Sequence, residues 1–218
     1  MLLSFDVVPD AVAEHDDWHT HEHFPERLSI PGFLRGSRWV ATSGHPRYLV
    51  IYEVQQLATL TSDAYLRRLN NPSPWTAKMM AHYRGMTRGF CSVMGSFGLG
   101  TGGVCLLVRF KPGEGMESSL RKWLCEDALP ALPLTSGVGS AHLFEGTMTP
   151  GMTNEQRIRG TDAAFDWALV VTGYRQNVLR ELAQRASFKE QLVECGATVG
   201  FSALYQLEYS LNACEIDV

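Results

Sequence analysis

Short apolar runs alternate with longer mixed segments along the whole chain. Residues 2–8 (LLSFDVV) form one such run and read as a strand; residues 104–110 (VCLLVRF) form another, about one hundred positions later. A segment of helical character follows each run. Each segment carries a tryptophan (Trp18, Trp123), a proline (Pro25, Pro130) and then a glycine (Gly32, Gly137) that opens a new strand-like run. The offset is the same for all three pairs, which marks an internal repeat. Second strands are expected at 32–41 and 137–146, and third strands at 47–54 and 165–172, rich in β-branched and aromatic residues. Helices are expected at 57–69 and 75–84 in the first half and at 176–185 and 187–195 in the second. Fourth strands close the halves at 87–97 and 199–210.

The order β-α-β-β-α-β, read twice, is an α+β pattern: two tandem ferredoxin-like units, 1–98 and 103–212, each with four antiparallel strands and helices on one face. Phe5, Val7, Val50, Tyr52, Val104, Leu106 and Val108 are read as the opposite face. An exposed apolar sheet face needs a partner. Two sheets packed face to face supply it, giving an intrachain pseudo-dimer in the form of an α/β barrel. The junction, residues 98–103 (GLGTGG), matches G-x-G-x-x-G in letters. A strand follows it where a dinucleotide site needs a helix, so it reads as a flexible turn.

Composition narrows the class. The 218 residues are 45% hydrophobic and 19% charged, enough to build a core without staples. A net charge of −4 argues against nucleic acid as a partner. No apolar run approaches the ~18–20 residues that span a bilayer, so no membrane partner is expected. The N-terminal stretch has no basic segment and Asp6 interrupts it, which does not resemble a secretory signal. The five cysteines, Cys91, Cys105, Cys125, Cys195 and Cys214, are odd in number and lack C-x-x-C spacing. Reduced, buried thiols in a cytoplasmic protein are the expectation.

The unusual stretch is 14–27, EHDDWHTHEHFPER, which holds four of the seven histidines. His15, His19 and His23 are spaced i, i+4, i+8 and share one helical face; His21 points elsewhere. Glu22 lies near that face, and Val12 and Trp18 are too sparse for a core stripe. The matching helix of the second half has an apolar face of Met116, Leu120, Trp123, Leu124 and Ala128, with Ala128 at the position of His23. The first half therefore spends polar residues where the second packs hydrophobes. Acid–base chemistry by His23 or His19, with Glu22 orienting the ring, is one reading. A zinc site is another, but His-Glu-x-x-His is missing and no further ligand is evident, so neither metal nor organic cofactor is expected. A solvated face is the reading for His15 and His21.

Trp18, Arg35 and Tyr52 are the candidate substrate-binding residues. On the second strand Phe33, Arg35, Ser37 and Trp39 alternate with Leu34, Gly36, Arg38 and Val40, and Arg35 is placed to hold an anionic group. His82 is expected at a helix end and His142 on a strand. Residues 147–164 form a long irregular connection, expected to be a lid over the cleft or a dimer contact.

The run from Trp18 to Phe33, WHTHEHFPERLSIPGF, resembles the helix-to-strand signature of the dimeric α/β-barrel superfamily. It is most similar to the EthD-like members and related uncharacterised bacterial proteins, which carry Trp, then Glu-His, then Pro, then Pro-Gly-Phe. The block from Asn70 to Thr76, NNPSPWT, resembles that same group. The resemblance covers residues 2–97; in the second half it rests on element order. It implies a superfamily that includes monooxygenases working without metal or flavin, muconolactone-type isomerases, and haem proteins such as chlorite dismutases. It also implies a role for His23 at a ligand cleft. His19 stands where the pattern has an aromatic, which is a departure. The resulting expectation is a cofactor-independent isomerase or monooxygenase for a small carbonyl or aromatic compound, with His23 as proton shuttle. The alternative is a non-catalytic small-ligand-binding or stress-related protein. A homodimer of the tandem chain is the expected assembly.

Overall fold

The structure is a computed structural model that describes residues 1–42, 44–147, 151–184 and 186–216. Its strands are β1 (Leu2–Val7), β2 (Phe33–Ala41), β3 (Tyr48–Val54) and β4 (Tyr83–Gly98), then β5 (Val104–Pro112), β6 (Val138–Thr147), β7 (Trp167–Gly173) and β8 (Ala197–Asn212). All eight close into one antiparallel barrel in the order β1-β3-β2-β8-β5-β7-β6-β4. The first four strands are contiguous in that order, and so are the last four. Two seams join them: β2 pairs with β8, and β4 with β6. The sheets are thus sealed edge to edge, and closure removes the edges that would otherwise template aggregation.

The first crossover is helical from α1 (Val12–Trp18) through a π-helical turn at His19–His23 to α2 (Phe24–Leu28). The second half repeats it with α5 (Glu117–Trp123), a π-helical turn at Leu124–Ala128 and α6 (Leu129–Ala131). The π turns are related by the same offset as the two tryptophans. Such turns often mark functional sites, but this one recurs in a half without the histidines and so belongs to the fold. Helices α3 (Asp63–Asn70) and α4 (Pro74–Met80) complete the first half. The Ser62 and Ser73 hydroxyls cap them by accepting from Tyr65 N and Thr76 N. The helix expected at 75–84 ends early, because Tyr83 already begins β4. Helices α7 (Asn154–Arg159), α8 (Gln176–Gln184) and α9 (Ala186–Glu194) belong to the second half.

Three apolar clusters account for the core. One lies between the first four strands and their helices and includes Phe5, Val7, Val50 and Tyr52 with Trp18, Phe24 and Leu28. Its counterpart in the second half includes Val104, Leu106 and Val108 with Leu120, Leu124 and Leu129. The third lies inside the barrel: Leu2, Trp39, Leu49, Cys105, Leu107, Ala168, Val170 and Tyr205. The face expected to meet the other sheet is therefore the face covered by helices. Alternation separates the two faces of a strand, but both are apolar here, so the period cannot say which one lines the barrel.

A register shift between Phe33 and Arg35 also moves Phe33 off the face of Ser37 and Trp39, onto the helix side. Gly36 has a steric role. A Cβ there would sit 2.3 Å from Phe24 Cε1, so only glycine lets α2 approach the sheet this closely.

Candidate active site

His15 lies in α1 while His19 and His23 bound the π-helical turn, and the three stand in a row. Hydrogen bonding to the fifth residue slows the rotation per residue and offsets the drift that i, i+4 spacing accumulates on a straight α-helix. The His15–His19 and His19–His23 ring centroids are both 5.3 Å apart. All three side chains are buried, while His21 is exposed. At the equivalent positions the second half has Leu120, Leu124 and Ala128, of which the leucines are fully buried. An apolar core element in one half is thus an imidazole row in the other.

His19 and His23 open onto a cavity of about 30 Å³ between the π-helical turn with α2, the sheet and α7. Its lining includes Tyr52, Tyr65 and Tyr83 from the first half, and Arg27 and Arg88 beside them. Four buried polar atoms of these residues have no hydrogen-bond partner: His19 Nδ1, His23 Nδ1, Tyr52 Oη and Arg88 Nε. An unpaired buried polar group costs about 1–3 kcal/mol, so this wall carries a stability penalty. Burial, with help from neighbouring cations, pushes the His19 and His23 pKa values well below the ordinary imidazole range. Both rings are therefore neutral near pH 7, and each is a weaker base than a free imidazole. Burial raises the Tyr52 and Tyr83 pKa values, so both phenols stay protonated.

His15 is connected outward. Its Nδ1 lies 3.0 Å from Asp16 Oδ1 and its Nε2 3.2 Å from Tyr83 Oη. Tyr48 Oη also donates to Asp16 Oδ1, at 2.7 Å. Burial works against the Asp16 charge, but the bonds from His15 and Tyr48 outweigh it and hold the carboxyl below its usual range. An ionised Asp16 can only accept, so His15 carries its proton on Nδ1 and accepts from Tyr83 through Nε2. Tyr83, His15 and Asp16 thus form a directed chain from the cavity to a carboxylate that is 24% exposed.

One wall comes from the other half of the chain. Helix α7 starts in a capping box between Thr153 and Gln156. It carries Glu155 onto Arg27, in an ion pair whose side chains are both almost fully buried. Burial opposes the Arg27 charge, but Glu155 and its neighbours outweigh it and push the pKa above the usual value. Arg159 bonds to Asp162 at 2.7 Å, Asp162 faces Arg88 at 3.4 Å, and Gln156 donates to Asp162 at 2.8 Å. Ala163 adds backbone bonds to Met86 and Arg88. The long connection, expected to act as a lid or dimer contact, therefore straps the first half's cavity over its described part, 151–164; residues 148–150 lie outside the described residues.

The expected site residues separate into two groups. His19, His23, Trp18 and Tyr52 come together, with the Trp18 ring 4.5 Å from that of His23. Glu22 does not line the cavity. Its Oε1 accepts from Trp18, Ser73 and Thr76 and so anchors α1 to α4. The carboxylate facing His23 Nδ1 is Glu26, at 4.0 Å. Arg35 lies away from the histidines, at one end of the barrel, where its Nε donates to Glu53 at 2.8 Å. His142 is on the barrel side as well, held between Ser96 and Ser140.

Residues not found from sequence include His15 as a buried group, Tyr83, Arg27, Arg88, Glu155 and Arg159. A signal existed for the last two: Thr153-x-x-Gln156 is a helix start inside a long loop, and Glu155 and Arg159 are i, i+4 on that helix. Among the described residues, no group of three or more His, Cys, Asp or Glu is placed to hold a metal ion.

No family model and no curated protein matches the chain. Solved structures do. The chain is similar to an anthrone oxidase-like protein, with a TM-score of 0.70 and 10% identity over 97% of this chain and 91% of that one. It is also similar to a candidate monooxygenase from Fusobacterium nucleatum subsp. nucleatum, with a TM-score of 0.57 and 11% identity over 97% and 92%. A candidate monooxygenase from Lactobacillus acidophilus gives 0.55 and 9% over 97% and 94%. At such identities the likeness is one of fold, and the fold is of the dimeric α/β-barrel type. Among the described residues, no helix is long and apolar enough to cross a membrane.

Proposed function

We propose that the protein is an oxygenase without metal or organic cofactor, acting on a small phenolic, enolic or anthrone-like compound in the His19–His23 cavity. The observation that carries this is the pair of buried, neutral imidazoles that line that cavity and whose Nδ1 atoms lack hydrogen-bond partners. The names of the structural neighbours agree with the reaction class. The wider reading is of two ferredoxin-like units, 1–98 and 103–212, of which the first keeps a reaction chamber and the second has filled its equivalent with Leu120, Leu124 and Ala128. The run from Trp18 to Phe33 supports a place near the EthD-like members.

The chemistry follows from the geometry. A neutral imidazole takes a proton from an activated C–H or O–H of the substrate. The resulting carbanion or enolate gives its electron pair to O₂, forming a C–O bond. Loss of water from the hydroperoxide then converts a CH₂ group and O₂ to a carbonyl and H₂O. Tyr83, His15 and Asp16 carry protons between the cavity and solvent. The cavity holds a diatomic molecule or roughly two waters, so an aromatic substrate requires it to widen.

The test is a panel of anthrones, naphthols and enols under ¹⁸O₂, with products read by mass spectrometry. A product carrying one ¹⁸O, lost in His23→Ala, is expected. Product formed equally by His19→Ala and His23→Ala would move the chemistry elsewhere. Product without ¹⁸O assigns isomerisation, and tight binding without product assigns a carrier.

A further inference from the structure

A second cavity is far larger than the one beside the histidines. About 690 Å³ lies inside one end of the barrel, within the range of roughly 300–1,000 Å³ typical of small-molecule sites. We propose that it is a second binding site, for an uncharged, flat or elongated hydrophobic molecule bearing a hydroxyl or carbonyl group at one end.

The wall chemistry points to that class. Leu2, Trp39, Ile51, Phe144 and Val170 supply an apolar body. Polar groups gather on one side in a continuous chain. Gly102 N donates to Thr172 Oγ1 at 3.2 Å, Thr172 Oγ1 meets Ser140 Oγ at 2.9 Å, and Ser140 Oγ meets His142 Nε2 at 3.0 Å. His142 Nδ1 then meets Ser96 Oγ at 2.8 Å. Ser140 and Thr172 are buried, so their hydroxyl protons need acceptors. Within this chain one direction provides them: Thr172 donates to Ser140, Ser140 to His142 Nε2, and His142 Nδ1–H to Ser96. The proton left over is that of Ser96, an exposed residue on the cavity lining. It is a donor waiting for a ligand oxygen.

Charge and entrance agree. The cavity's charged pair, Arg35 and Glu53, neutralise each other, with Arg35 also donating to Thr101 at 3.0 Å. A charged ligand would have to break that pair. Leu34, Leu57, Val93 and Leu99 are exposed large apolar residues from separate parts of the chain, and all four line this cavity. Scattered single cases need no explanation, but convergence on one opening does. The glycine junction supplies part of the same lining through Gly98, Gly100 and Thr101. Tyr52 lines both cavities, so the two sites share a wall.

The test is titration with Nile red, a neutral dye whose emission shifts blue in apolar surroundings, and calorimetry with 2-acetylnaphthalene and naphthalene. One saturable site per chain is expected. Val170→Phe, which fills the cavity, should weaken binding about tenfold or more. Leu99→Glu, at an exposed position that cannot upset the core, should weaken it severalfold, which decides the matter if Val170→Phe fails to fold. Ser96→Ala should remove the preference for 2-acetylnaphthalene over naphthalene. The double variant His19→Leu/His23→Ala should bind the dye as wild type does, which separates this site from the reaction chamber. Absence of saturable binding overturns the proposal, as does binding unchanged in both Val170→Phe and Leu99→Glu, or binding lost in the double histidine variant.

Discussion

Glu155, on the segment joining β6 to β7, lies buried against the guanidinium of Arg27, on the helix that follows the histidine row. A carboxylate from one half of the chain thus compensates a cation sealed in the other. Removing one partner of such a pair strands the remaining charge, at a cost of about 3–5 kcal/mol. Glu155→Leu should lower the urea-unfolding free energy by that order. The double variant Arg27→Met/Glu155→Leu should recover most of the loss. A Glu155→Leu chain as stable as wild type would show that Glu26, 3.2 Å from Arg27, compensates alone.

Stability should fall in mild acid. The folded-state pKa values of His15, His19 and His23 are lowered, first of all by burial, so below the ordinary imidazole value the unfolded chain binds more protons. Their contribution is complete above pH ~6.5 and is lost as pH falls, with a limiting slope of roughly 1.4 kcal/mol per pH unit for each histidine. Glu26, whose pKa burial raises, acts in the opposite sense at lower pH. Melting temperatures measured from pH 8 to 5 should drop, and the drop should be shallower in His19→Leu/His23→Ala.

That double variant should also be more stable than wild type at neutral pH. It installs the second half's Leu124 and Ala128 and removes two unpaired buried nitrogens. A gain of about 1–3 kcal/mol in chemical unfolding is expected. A loss would show that the imidazoles pack better than the aliphatic set.

Asp16→Asn should disturb the tautomer of His15 without touching the cavity lining. A fall in kcat of about ten- to a hundredfold with little change in KM is expected, with a shifted pH–rate profile. Tyr83→Phe interrupts the same chain and should give no further loss when combined with Asp16→Asn.

Much of the architecture was legible because both crossovers obey one spacing, from tryptophan to proline to glycine. The histidine row was legible because polar residues stand where the other crossover has Leu120, Leu124 and Ala128. What escaped was long-range pairing. His15 reads as solvated until Tyr83, 68 residues away, is placed on its Nε2. Arg27 carries no signal in the sequence until Glu155, 128 residues away, is folded onto it. Glu22 sits beside His23 in sequence, yet Ser73 and Thr76 draw its carboxylate to α4. The barrel interior was misplaced because Phe5 and Val50 on the helix side are as apolar as Leu2 and Leu49 within.

The central claim is that the imidazole row is the reaction centre. Oxygen uptake with whichever anthrone, naphthol or enol is turned over, comparing wild type with His19→Leu/His23→Ala, tests it most directly. The folded variant should lose about 10²–10⁴-fold of the rate. Uptake that persists at the wild-type rate would contradict the claim.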